Sequence, residues 1–163
     1  MDAEGAMNTP VNPASRLWLW LLVATAAAGL VHTGLYLFPF EDAYISFRYA
    51  ENLANGHGFV FNPGGESVEG FTSFLWVVLL GVLNLCGAIV PDTAVALSVC
   101  FGLGLLGVSA ALAASWNGRV DVWIVLPPAV LAANGTWAYW SGSGMETTLF
   151  VLLLCLGILS ASK

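Results

Sequence analysis

Two adjacent carboxylates, Glu41 and Asp42, follow directly on an uncharged run that ends in Phe38-Pro39-Phe40. A carboxylate pair at the mouth of an apolar segment supports two chemistries. One is a general base for a hydroxyl group, and the other is a set of oxygen ligands for a divalent cation such as Mg or Mn. The pair also suits the plain role of marking where a helix leaves the membrane for water. Arg48 offers the planar forked donor that phosphate recognition needs, or a surface ion pair with Glu41 or Glu51 worth only about 0–1 kcal/mol. His57, between Gly56 and Gly58, fits either a phosphate contact or a turn. A further carboxylate, Glu146, follows Ser141-Gly142-Ser143-Gly144-Met145. It reads as a second acidic group of a site or as a helix start, where the macrodipole favours a negative charge.

The segment that must position Asp42 is amphipathic. At 100° per residue, Ala43, Phe47, Ala50 and Ala54 share one face, while Glu41, Arg48, Glu51, Asn52 and Asn55 share the other. Asp42 falls off the centre of the polar arc, near Ser46 and Tyr49. Asn55-Gly56 ends this helix, and Asn62-Pro63-Gly64-Gly65 is a turn by composition. Glu66 and Glu69, which follow that turn, read as solvated.

The other elements are set by where charge is missing. Arg16 to Glu41, Glu69 to Asp92, Asp92 to Arg119 and Asp121 to Glu146 each enclose about 22–26 uncharged residues, and Glu146 to Lys163 about 16, against roughly 20 needed to cross hydrocarbon. Helices are therefore expected near 17–38, 71–90, 93–115, 122–140 and 147–162, the fourth interrupted by Pro127-Pro128. The expected fold is an all-α integral membrane protein of about five hydrophobic helices, with the amphipathic helix lying beside the membrane. Residues 1–15 read as a disordered polar tail and 16–163 as one transmembrane helical domain. Leu17 to Ala26 resembles a signal peptide, but the negative tail before it and the apolar run on to Phe40 favour an uncleaved anchor.

Composition agrees. Of 163 residues, 58% are hydrophobic and 9% charged, so a water-soluble or disordered chain is excluded. Ten acidic against four basic residues give a net charge of -6, which argues against a nucleic-acid partner. Membrane lipid is the expected partner instead. Cys86, Cys100 and Cys155 lie inside the expected spans without metal-ligand spacing and read as packing residues. His32 reads as a packed, hydrogen-bonded residue, and Gly102, Gly104 and Gly107 as points of close helix approach. Asn134-Gly135-Thr136 matches a glycosylation pattern too common to carry weight.

One string is more specific than any of these features. It runs Glu41-Asp42-Ala43-Tyr44-Ile45-Ser46-Phe47-Arg48-Tyr49-Ala50, Asn52-Leu53, Gly56-His57-Gly58, Phe61-Asn62-Pro63-Gly64 and Val68-Glu69-Gly70-Phe71-Thr72-Ser73-Phe74-Leu75-Trp76. It resembles the first extracytoplasmic loop of a bacterial branch of the GT-C superfamily of membrane glycosyltransferases, and Ser143-Gly144-Met145-Glu146-Thr147 resembles a second motif of that branch. The resemblance implies a multi-pass protein of the inner (plasma) membrane, with loop 39–70 extracytoplasmic. It implies transfer of a sugar from a polyprenyl phosphate to a hydroxyl of a glycan or lipid acceptor, with inversion. By the same resemblance Asp42 is the base, Glu41 assists it or binds a cation with it, Arg48 and His57 face the lipid phosphate, and Glu146 is a second acidic contributor. Two departures are visible. Glu41 stands where the family usually has Asp, and family members carry many more spans, so further spans from a longer protein or a partner chain are expected. The competing expectation is a truncated, non-catalytic membrane protein that binds lipid or a partner through loop 39–70.

Topology divides these expectations. If every segment crosses, Glu146 and the first loop lie on opposite sides, and basic residues collect outside, against the positive-inside rule. If residues 71–115 cross once in net, with one segment re-entrant or interfacial, Glu146 joins Glu41 and Asp42.

Overall fold

The computed structural model describes residues 16–65 and 70–162; the 1–15 tail, Glu66, Glu69 and Lys163 lie outside the described residues. Among the described residues the chain is helical without strands, as expected. Helix α1 spans Leu17–Thr33 and runs into a 3-10 turn at Gly34–Tyr36; α2 spans Ala43–Ala54, α3 Phe74–Leu85 and α4 Val90–Asn117. A 3-10 turn at Val122–Val125 leads into α5, Leu126–Ala133, followed by α6, Gly135–Gly142, and α7, Thr147–Ala161.

Two described segments are long and apolar enough to cross a membrane, Leu17–Tyr36 and Val90–Asn117, and a third is reached if α6 and α7, bent by 114°, are taken as one span. Two expected elements differ from this pattern. The 71–90 segment forms a helix of 12 residues, about 18 Å long against about 30 Å of hydrocarbon. The 122–140 segment is broken, but not by its prolines, which stand in the first turn of α5, where a missing N–H costs nothing. The break is at Asn134, whose Oδ1 accepts from the Thr136 and Trp137 amides at 2.8 and 3.3 Å and so starts a new helix.

Register fixes directions. Leu22, Val23 and Ala26 of α1 face Leu103, Leu106 and Gly107 of α4, while Leu30 and Leu37 lie against Asp92, Val95 and Val99. The two helices are therefore antiparallel. Helix α7 runs parallel to α4, since Thr148 bonds Ser98 and Ser162 bonds Ser115. Arg16 and Arg119 consequently share one end of the bundle, while Asp42, Asp92 and Glu146 share the other. Trp20, Trp116 and Trp123, all exposed, ring the arginine end, as aromatic side chains do at a membrane interface. About 20 residues, or about 30 Å, up α4 from Trp116 lies Ala96, close to the acidic end.

Two cores hold the bundle. Ala43, Phe47, Tyr49 and Ala50 of α2 pack on Trp76, Val77 and Leu80 of α3 and on Val90 and Ala94 of α4. Leu106, Ala132, Trp137 and Ala138 join α4, α5 and α6, with Tyr36 and Ala26 of the α1 region packed against them. His32 donates from Nδ1 to the Ala132 carbonyl at 2.9 Å, the packed role expected of it. Gly102 approaches α6 so closely that a Cβ there would collide with Ser141, and one at Gly104 would press on Leu152 of α7 at 3.3 Å. Gly107 faces open space instead. Of the cysteines expected as packing residues, Cys86 and Cys100 are exposed and Cys155 is half-buried.

Candidate active site

Asp42 and Glu146 line one cavity of about 490 Å³, with Ser46 of α2, Thr72 and Ser73 before α3, Gly70, and the apolar Ile45, Phe71 and Met145. Three helices begin on this cavity: α2 with Asp42 as N-cap, α3 with Ser73 and α7 with Glu146. An N-cap side chain ordinarily accepts a hydrogen bond from the first turn of its own helix, yet none of these three does so. At α2 the reason is local. The Ala43, Tyr44 and Ile45 amides already donate to the Phe40, Glu41 and Asp42 carbonyls, which leaves the Asp42 side chain uncommitted. The three N-termini also direct partial positive charge toward the cavity, which favours carboxylates or other anions there.

The wall formed by residues 70–73 is held by Tyr49. This fully buried side chain accepts from the Gly70 amide at 3.1 Å and packs against Phe71 with ring centroids 4.5 Å apart. The elbow between α6 and α7 is held from three sides. The Phe40 amide donates to the Ser143 carbonyl at 2.9 Å. Ser98 Oγ of α4 donates to the Met145 carbonyl at 2.9 Å, and Thr148 Oγ1 donates to the Ser98 carbonyl at 3.1 Å. Ser143 Oγ closes the elbow on itself, donating to the Trp140 carbonyl and accepting from the Met145 amide. Gly142 lies against the Tyr36 carbonyl with no room for a Cβ, and Gly144, at φ 71°, passes beside Phe47. These contacts set Glu146 in the wall shared with Asp42.

The carboxylates are not equivalent. Asp42 is exposed, whereas Oε2 of Glu146 is buried with no hydrogen-bond partner among the described residues. Glu146 also borders an apolar groove of about 370 Å³ lined by Phe74, Leu75, Trp76, Leu149 and Phe150. Two carboxylates in one cavity, one with an unpartnered oxygen, fit a cation that keeps water or phosphate oxygens as its other ligands. Among the described residues no three His, Cys, Asp or Glu side chains gather into a fuller cage.

The remaining sequence candidates stand elsewhere. Glu41 is exposed and is not part of the cavity wall. Arg48 is exposed and outside that wall too, its Nε donating to the Phe61 carbonyl at 3.1 Å. It forms no ion pair with Glu41 or Glu51; among the described residues the ion pair is Arg119 with Asp121 at 2.7 Å. His57 is exposed in the following loop. Asn52, expected on the polar face, is buried and donates to the Val60 and Phe61 carbonyls at 2.7 and 2.9 Å, tying that loop to α2. The cavity residues not singled out from the sequence are Ser46, Thr72 and Ser73. Ser46 carried a readable signal, since it lies four residues after Asp42 and so on the same side of the helix.

No family model and no solved structure matches the chain. It is similar to the terminal beta-(1->2)-arabinofuranosyltransferase of Mycobacterium tuberculosis, with 34% identity over 153 residues. The match covers 88% of this chain, which spans about a quarter of that relative's length (24%). This similarity, joined to the apolar helices, supports a membrane protein with a glycosyltransferase role in general terms.

Proposed function

We propose that the chain forms the catalytic cavity of a GT-C type membrane glycosyltransferase that moves a sugar, an arabinofuranose by analogy with the relative, from a polyprenyl phosphate to an acceptor hydroxyl. The observation that carries this reading is the meeting of Asp42 and Glu146 in one cavity beside an apolar groove. The elbow is bonded to Ser98, one turn or less from the level at which about 30 Å of hydrocarbon above Trp116 would end. A carboxylate at that depth is favourable only at the lipid–water boundary, where the phosphate of a lipid-borne substrate also sits. The arginine end would be cytoplasmic by the positive-inside rule, and the cavity extracytoplasmic.

In this reading Asp42 accepts the acceptor's hydroxyl proton as the oxygen bonds to the anomeric carbon. The bond from that carbon to the phosphate oxygen breaks on the opposite face, and polyprenyl phosphate leaves with the electron pair, so the configuration inverts. The groove beside Glu146 takes the start of the prenyl chain, and Arg48 and His57, which stand outside the cavity wall, would meet the donor's phosphate only on its approach. Asp42 and Glu146 would hold a divalent cation, Mg or Mn, which would neutralise charge on the leaving phosphate. Glu41 is left to assist from outside the cavity.

The test uses membranes containing the chain, polyprenyl-phosphate-linked arabinofuranose and a synthetic arabinofuranoside acceptor. Asp42→Asn is expected to lower transfer by about 10²- to 10⁴-fold, the usual contribution of a general base, with membrane insertion unchanged. Transfer at the unaltered rate would remove Asp42 as the base.

A further inference from the structure

Ser46 is 5% exposed, and what remains accessible belongs to a side chain lining the cavity. A serine inside a helix commonly returns its hydroxyl to the carbonyl four residues back. Here the Asp42 carbonyl receives no such bond, and the Ser46 hydroxyl has no hydrogen-bond partner among the described residues. The Ser46 oxygen is reached from the cavity rather than sealed in the core, so the side chain offers a ligand there a donor and an acceptor that Ala would not. The hydroxyls of Thr72 and Ser73 across the cavity are likewise unbonded among the described residues.

We propose that Ser46 is a substrate-contacting residue that binds a sugar hydroxyl and presents it to Asp42. The charge of the cavity selects this ligand chemistry. Two carboxylates accept hydrogen bonds but donate none, so a hydroxyl can pair with them directly, whereas a phosphate oxygen would reach them only through a cation. Ser46 both donates and accepts, so it can hold the oxygen of a hydroxyl whose proton points at Asp42. One helical turn separates the two side chains, which places them on the same side of α2. The substrate class is thus a polyhydroxylated acceptor, gripped at the hydroxyl that reacts. This inference rests on the transferase reading above and assigns the acceptor's position within it.

The experiment measures transfer to the synthetic arabinofuranoside at varied acceptor concentration in membranes carrying wild type, Ser46→Ala, Ser46→Thr and Asp42→Asn. Ser46→Ala should raise the acceptor KM by about tenfold, the fold-change of one lost hydrogen bond, while the KM for the polyprenyl-phosphate donor stays within twofold. Ser46→Thr, which keeps the hydroxyl, should restore most of the loss. Amide hydrogen exchange over α2 should match wild type in both variants. Wild-type acceptor KM in Ser46→Ala, alongside abolished transfer in Asp42→Asn, would overturn the role of Ser46 and leave the transferase reading standing. Equal rises in donor and acceptor KM, or loss of α2 protection, would make Ser46 a structural residue and also overturn the proposal. Full transfer by Asp42→Asn would instead overturn the transferase reading, and the Ser46 proposal with it.

Discussion

Asp42 and Glu146 reach the same cavity by opposite routes. Asp42 stands on a helix whose buried residues repeat at helical spacing, with Ala43, Phe47 and Ala50 turned onto α3 and α4. The turn that holds Asp42 is local, its first amides bonded to the Phe40, Glu41 and Asp42 carbonyls, while the helix as a whole is seated on α3 and α4. Glu146 stands at an elbow whose position depends on groups far away in sequence, since Ser98 reaches Met145 across 47 residues and Thr148 reaches Ser98 across 50. A local support keeps its shape when the rest of the bundle shifts. A support built from long-range bonds moves with the helix that carries it, here α4 through Ser98.

The contrast can be broken at Gly142. A Cβ there would occupy the space of the Tyr36 carbonyl, a backbone wall that no rotamer can clear. Gly142→Ala should cost about 3 kcal/mol, the upper range for overpacking, and should free the elbow. Hydrogen exchange should then rise across α6 and the start of α7 while α2 stays protected. Equal loss in both would mean that the two supports are one cooperative unit.

Asn52 tests the local side. Asn52→Ala removes two bonds to the carbonyls of the 56–65 loop, worth about 1 kcal/mol each. The expected result is faster proteolysis at Gly64-Gly65 with the elbow unaffected. A smaller effect is expected for Ser98→Ala, which leaves the Met145 carbonyl without its donor. Side-chain hydrogen bonds inside membrane proteins average about 0.6 kcal/mol and reach about 1.7. Melting of the purified protein should shift little, while transfer drops several-fold because Glu146 moves; Ser98→Thr should recover it. A lowered melting point with unchanged transfer would separate the Ser98 bond from the site.

The same contrast explains what could be read in the sequence. The all-helical membrane fold was legible in the charge spacing, and α2 in its 3.6-residue period. Asn52 was misplaced on the polar face because periodicity registers polarity, not the partners that a folded loop supplies. The short length of α3 was hidden because its apolar run extends past the ends of its hydrogen-bonded turns. The break at Asn134 looked like a proline effect, although helix-start prolines do no harm and an Asn side chain can cap a new helix. Glu146 was visible as a carboxylate heading a helix, and the positive-inside rule pointed to its joining Asp42 if residues 71–115 cross once in net, but the bonds from Ser98 and Phe40 that set the elbow were not visible. No local pattern encodes those contacts.

In the proposed transferase the two acidic motifs face one cavity on one side of the membrane. That arrangement is tested most directly with Asp42→Cys and Glu146→Cys combined in a chain whose three native cysteines are replaced, kept in intact cells. A short, membrane-impermeant bis-thiosulfonate added outside should link the pair within one chain, and Ser98→Ala should slow the linkage. Labelling of position 42 alone, with position 146 reached only after the membrane is opened, would place the two carboxylates on opposite sides and rule out a shared site.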